Sequence, residues 1–171
     1  MTEARIAVRA FRPDDADAVA QAIVDSSIHH VSLEPKRYEV LDAAKVAAMY
    51  RAGTQHPAGV RSIERATLVA ELDGSVVGVV DTHVVFPEGA HQRFRYGLLA
   101  EVAVVAGARR HGVGEALVRA AEAWARERDC VYTVLDYNAY NDDAGRFYRD
   151  RLGYQSAGMI VVKDLREAPP D

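Results

Sequence analysis

Only one of the 171 residues is a cysteine, so no disulfide can close within the chain. Cys130 lies in Arg128-Asp129-Cys130-Val131-Tyr132 with no base beside it, and it reads as a small buried hydrophobe ahead of a strand rather than a nucleophile. Long apolar runs are missing as well. The longest uncharged one, residues 102–108, is far too short to cross a bilayer. Residues 1–12 are mixed and charged, without the apolar core or small-residue cleavage site of a signal peptide. There is little excess charge of either sign: 21 Lys and Arg against 25 Asp and Glu, a net −4. That balance gives no basic footprint for nucleic acid and at most a weak pull on cationic substrates. His29, His30 and Glu34 lie close together, but no further Cys/His cluster has ligand spacing, so no metal is expected. Repeats and low-complexity tracts are absent. The expectation is a soluble cytoplasmic protein that engages neither membrane nor nucleic acid.

What is present is average for a globular chain, with 49% hydrophobic and 27% charged residues. The length suits one core, so residues 1–171 are expected to form a single domain with a frayed tail from about 166. Residues 4–11 alternate as a first strand, Pro13 breaks it, and Asp14 is placed to cap a helix over about 14–26. A polar stretch holding His29, His30 and Pro35 follows, then a second helix over about 39–52 and a loop over 53–62. Strands over 66–72 and 76–85 flank Asp73-Gly74, the strongest hairpin signal in the chain. A polar loop over 87–95 leads to a nearly continuous apolar strand, 98–105, interrupted only by Glu101. A helix over 112–128, a strand over 131–136, a short helix over 142–152 capped by Asn141 and ended by Gly153, and a last strand over about 157–164 complete the order βααβββαβαβ. That order implies an α/β fold with a mixed sheet, antiparallel through the early hairpins and parallel where the helix 112–128 crosses between strands.

The informative stretch runs from Glu101 to Val118, where a buried strand passes through a glycine-rich turn directly into a helix. Free N–H groups at a helix start carry partial positive charge and attract anions. Gly112 and Gly114 leave out side chains that would keep a phosphate from the backbone, and Arg109, Arg110 and His111 add charge at the rim. A P-loop fails here because Val113 and Gly114 stand where Lys and a hydroxyl residue are needed. A dinucleotide fingerprint fails because Leu117 occupies its third site. Arg-x-x-Gly-x-Gly, over Arg109, Gly112 and Gly114, remains.

With these residues the chain resembles the Gcn5-related N-acetyltransferase family. Two motifs carry the resemblance: Arg109-Arg110-His111-Gly112-Val113-Gly114 after a strand, and Asn141-x-x-Ala144-x-x-Phe147-Tyr148 followed by Gly153-Tyr154. Arg110 departs from the pattern, since many members carry Gly there. The resemblance implies the acyl-CoA N-acyltransferase fold over essentially the whole chain. It implies acetyl-CoA as co-substrate, no metal, and a pyrophosphate held by the turn. Its cofactor-binding set here is Val102, Ala103, Val104, Arg109, Arg110, His111, Gly112, Val113, Gly114, Glu115 and Asn141. It also implies an amine acceptor, a small molecule or peptide, and allows a homodimer.

Acyl transfer from a thioester needs a neutral amine, whereas a free alkylamine has a pKa of about 10.4. A carboxylate of raised pKa within a strand could take that proton. Glu101 is the one charge in its strand and stands where the family often holds its base; Asp81 and His83, on a neighbouring strand, are alternatives. Tyr148 matches the family's position for the acid that protonates the leaving thiolate, and core packing is its competing role. Backbone N–H groups near Val102 to Val104 would suit a tetrahedral oxyanion. Tyr132, Tyr137 and Tyr140 flank the penultimate strand and either pack the core or line an acceptor pocket. The expected activity is direct acetyl transfer in a ternary complex, and the alternative is a non-catalytic acyl-CoA sensor on the same fold.

Overall fold

The computed structural model describes residues 5–55, 61–86, 94–158 and 160–161. Two compact units divide them, one reaching Asn138 and the other starting at Ala139. The first unit is built on a five-stranded sheet in the order β1-β2-β3-β4-β5: β1 (Ile6–Ala10), β2 (Ser62–Leu72), β3 (Ser75–Val85), β4 (Tyr96–Val104) and β5 (Tyr132–Val134). The first three pairings are antiparallel and β4–β5 is parallel, as the alternation of strands and helices requires. Asp73 and Gly74 turn the β2–β3 hairpin with φ of 50° and 84°, the left-handed pair a tight two-residue turn demands.

Helices α1 (Ala16–Leu33) and α2 (Ala43–Ala52) cover one face of the sheet. Their Val19, Ala20, Ile23, Val46, Ala47 and Tyr50 bury against Val69, Val79 and Ala103. Helix α3 (Val113–Arg126) covers the other, with Leu117, Val118 and Ala121 fully buried. Burying an aliphatic side chain of this size contributes about 1.5–3 kcal/mol. The glycines on the α3 face are there for space: a Cβ on Gly78 would stand 3.0 Å from the Leu117 side chain, and one on Gly97 would stand 2.7 Å from the Ala125 Cβ and 3.1 Å from Thr133. Gly97→Ala is therefore expected to destabilise the protein by about 1–3 kcal/mol, read as a lower denaturant midpoint at unchanged m-value. An unchanged midpoint would contradict this packing.

Several expectations are corrected. The first helix does not stop near 26 but runs to Leu33, so His29 and His30 are helical. Five apolar residues at helical spacing marked its first half, whereas its second half has little apolar periodicity to read. Its cap is Asp15 rather than Asp14: a 3-10 turn over Pro13–Asp15 precedes the helix. The Asp15 carboxylate accepts the Arg12 N–H at 2.7 Å and a two-pronged ion pair from Arg9. The second helix starts at Ala43, not 39, because the Asp42 side chain caps it through the Lys45 N–H at 2.9 Å. It ends as expected at Gly53, at φ 64°. β2 already begins at Ser62 and β4 at Tyr96, while β5 is limited to three residues. Residues 56–60 and 87–93 of the two expected loops lie outside the described residues.

In the second unit Asn141 caps α4 (Asp142–Gly145) by accepting the Ala144 N–H at 3.0 Å. The expected helix to 152 is only partly α: Arg146–Arg151 widens into a π-helical turn that ends at Gly153, φ 79°. Of the expected last strand, residues 157–158 and 160–161 are irregular, and the remainder, like the tail from 166, lies outside the described residues. Among the described residues no helix is long and apolar enough to cross a membrane.

Candidate active site

β4 changes character halfway along. Asp81 pairs with Glu101 and Thr82 with Leu99, so Ala100 is an extra residue in a β-bulge. A bulge bends a strand and re-aims the side chains beyond it. On its other side β4 pairs with β5 only from Tyr96 to Leu98, and Leu99–Val104, which includes Val102, Ala103 and Val104, has no β5 partner. The β4–β5 ladder thus ends before Glu101.

Two rows of residues cross the sheet beneath α1 and α2. The apolar row is Val69, Val79 and Ala103; two positions along comes the polar row Thr67, Asp81 and Glu101. Asp81 is 6% exposed and is held from both sides: the Tyr50 hydroxyl of α2 donates to Oδ2 at 2.5 Å and the Thr67 hydroxyl to Oδ1 at 2.6 Å. Burial pushes its pKa upward, while the two hydroxyls and Arg65 pull the other way. Glu101 keeps part of its surface, but poor solvation of its charged form, helped by the nearby charges of Asp81 and Asp136, pushes its pKa up to about 7. His83 is buried further along β3, opposite Leu98 on β4. A carboxyl that titrates near neutrality can accept a proton at working pH and release it again.

Beyond β4 the chain makes a 3-10 turn, Ala106–Ala108, and enters α3 through Gly112, whose φ of 88° is left-handed. The N-cap Gly112 has no side chain with which to cap this helix, and the first N–H groups, of Val113, Gly114 and Glu115, have no backbone partner within it. A Cβ on Gly112 would meet only Ile6 at 3.5 Å, so the conformation rather than crowding calls for glycine. Arg110 is also left-handed, at φ 66°, and exposed. The position where the resemblance implies glycine thus carries backbone strain here, of about 1–2 kcal/mol.

The charged rim expected around the turn divides into separate jobs. Arg109 is structural: its Nε donates to the Val104 carbonyl at 3.1 Å and an Nη to the Asp25 carbonyl of α1 at 3.2 Å. The Asp25 carboxylate in turn accepts the Ala106 N–H at 2.7 Å. The turn is thereby tied to α1, a link the sequence did not disclose. His111 Nδ1 lies 2.9 Å from the Arg109 carbonyl oxygen, and Glu115 stands one turn from Arg119, 4.0 Å away.

On α1, His30 stacks on Tyr38 with centroids 5.2 Å apart, and burial lowers its pKa. Glu34 accepts from Asn138 and pairs with Arg37 at 3.7 Å. Tyr132 stacks on Tyr96 across the parallel pair, centroids 5.7 Å apart. Cys130 is half-buried with its pKa raised by burial, as expected of an unreactive thiol. Tyr148 and Asn141 belong to the second unit. Tyr148 is buried in the π-turn, with its ring edge-on to Phe147 at 4.9 Å and to Tyr154 at 5.8 Å.

A mixed sheet whose fourth strand outruns its parallel partner and leads through a glycine turn into a helix is an α/β architecture with an anion-attracting helix entry. The chain belongs to the acetyltransferase (GNAT) family, whose model matches residues 30–154. No curated protein matches its sequence. Solved structures share the fold. A transcriptional regulator from Bacillus halodurans C-125 is 22% identical, with 94% of this chain and 100% of that chain covered and a TM-score of 0.69. The aminoglycoside N-acetyltransferase AAC(6')-Iy in complex with CoA is 16% identical over 96% and 97%, TM-score 0.67. An aminoglycoside acetyltransferase from an uncultured soil metagenomic sample, in complex with sisomicin, is 16% identical over 92% and 95%, TM-score 0.58.

Proposed function

We propose that this acetyltransferase moves an acetyl group from acetyl-CoA directly to a primary amine of a small molecule or peptide, with Glu101 as the base and Tyr148 as the acid. The observation that carries this reading is the position of Glu101. A carboxyl whose pKa is pushed up to about 7 stands beside a bulge, on the strand that runs on past its ladder with β5 and leads into the turn. Glu101 takes the proton of the amine, directly or through water, as the nitrogen attacks the thioester carbon. Backbone N–H groups of Val102 to Val104 serve the oxyanion. The pyrophosphate lies on the turn from Arg109 to Gly114 and the first residues of α3, Val113 and Glu115, with Arg110 and His111 at its rim and Asn141 holding the start of α4. Arg109 braces this turn through two carbonyls and adds its positive charge beside the phosphates. As the intermediate collapses, the C–S bond breaks and the Tyr148 hydroxyl gives its proton to the departing thiolate.

Direct transfer is tested by steady-state kinetics with both substrates varied. Intersecting double-reciprocal lines are expected; parallel lines with an acetylated protein would overturn it. The role of Tyr148 is tested by Tyr148→Phe, which keeps the ring and its edge contacts. Stability should change by no more than about 1 kcal/mol, whereas turnover should fall clearly, most with poorly activated acceptors. Tyr154→Phe, its ring neighbour, should be nearly silent. Normal turnover in Tyr148→Phe with a loss of several kcal/mol in stability would make Tyr148 a packing residue.

A further inference from the structure

Asp81 is a group for which the proposed reaction has no step. It lies directly across the ladder from Glu101, in a strand that is buried from Gly78 to Val85. Two hydroxyls are aimed at it. The Tyr50 hydroxyl reaches one carboxyl oxygen at 2.5 Å and the Thr67 hydroxyl the other at 2.6 Å. The Gln55 amide donates to Thr67 Oγ1 at 3.1 Å, which leaves the Thr67 proton for Asp81. A carboxyl that accepts at both oxygens is satisfied as the ion and has little left to offer an amine proton. The Glu101 carboxyl, by contrast, has desolvation and neighbouring charges around it and no hydrogen bond from a described residue.

Resting on the reading of Glu101 as the base, we propose that Asp81, clamped as a carboxylate by Tyr50 and Thr67, is a positioning residue whose fixed negative charge makes Glu101 a stronger proton acceptor. The other groups that face this pair are neutral, more screened or of opposite sign. Tyr50, from α2, is neutral, because burial and Asp81 push its phenol well above the usual range. Asp136, after β5, is exposed and shares its field with His30 of α1, so solvent screens it more than it screens Asp81. Arg65, on β2, spends its guanidinium on the Gly53 and Gln55 carbonyls at 2.7 and 3.0 Å and helps keep Asp81 ionised. The clamp therefore connects α2 to the titration of a residue on β4 that α2 does not hydrogen-bond.

The test is a ¹³C-NMR titration of the Glu101 side-chain carboxyl in the wild type and in Asp81→Asn, with the pH profile of kcat/KM beside it. Removing a like charge at this range should lower the Glu101 midpoint by about one pH unit. The acid limb of kcat/KM should move down with it, plateau turnover should drop several-fold because the base is weaker, and the KM for acetyl-CoA should stay within about two-fold. Should Asp81→Asn fail to fold, Thr67→Val and Thr67→Ser replace it: loss of the hydroxyl should shift the midpoint in the same direction by a smaller amount, and serine should restore it. An unmoved Glu101 midpoint in Asp81→Asn, or in Thr67→Val if that is the variant that folds, overturns the proposal. The titration needs no turnover, so it stands apart from the identity of the base. If Glu101→Gln is inactive while the midpoint is unmoved, only the role of Asp81 falls; if Glu101→Gln is active while the midpoint moves, only the base assignment falls.

Discussion

In Glu101→Gln, amine-dependent turnover at pH 7 is expected to fall by about 10²–10⁴-fold with little change in acetyl-CoA affinity. The substitution keeps the shape of the side chain and removes its ability to take a proton. The pH dependence follows from the raised pKa. Desolvation, Asp81 and Asp136 favour the protonated form, so Glu101 binds its proton up to about pH 7. A protonated carboxyl cannot act as a base, so wild-type kcat/KM should climb with pH through about 7 as the carboxylate forms. In the Gln variant this limb should vanish. The residual rate should then follow the supply of neutral amine, which grows toward a pKa of about 10.4, so the defect shrinks at high pH. A rate near that of the wild type at pH 7 would move the base to His83, to Asp81 or to a water chain.

Gly112→Asp is expected to weaken acetyl-CoA binding on the order of 100-fold or more, about 2.7 kcal/mol, with the fold retained. Two effects act together. Only glycine holds φ 88° without strain, so the side chain disturbs the turn that presents the first N–H groups of α3. The new carboxylate then stands where the pyrophosphate would lie, and two unit charges 4 Å apart near a surface repel by about 4 kcal/mol. The fold should survive because a Cβ there meets no backbone, only the Ile6 side chain at 3.5 Å. Gly112→Ala separates the two effects, since it carries the strain without the charge and should lose less affinity. Calorimetry showing unchanged affinity in a folded Gly112→Asp would remove this turn from the cofactor site.

The readable parts of the molecule were those written locally. Asp73-Gly74 signalled its hairpin because only such residues sit easily at two successive left-handed positions. Val113, Leu117 and Ala121 marked α3 because one strongly apolar face repeats at helical spacing. Gly112 could be singled out because a glycine between a strand and a helix has few other uses. The parts that escaped were tertiary. Tyr50 read as one more residue of a helix, and nothing local announces that its hydroxyl ends on Asp81, 31 positions away. Asp25 likewise gave no sign that it holds the turn 81 residues later. The bulge at Ala100 leaves no mark in an apolar run, because its cause is the register with β3. An aspartate inside a strand of valines must be satisfied or functional, and Asp81, paired with the lone glutamate of the next strand, pointed to the polar row across the sheet.

The account is tested most directly by free-thiol release from acetyl-CoA over a panel of amines, run with thermal stability in the same buffer. The account predicts stabilisation by acetyl-CoA and thiol release that depends on the amine, with one thiol for each acetylated amine. Stabilisation by acetyl-CoA with thiol released only at the rate of background hydrolysis, whatever amine is added, would contradict it and make the protein a sensor.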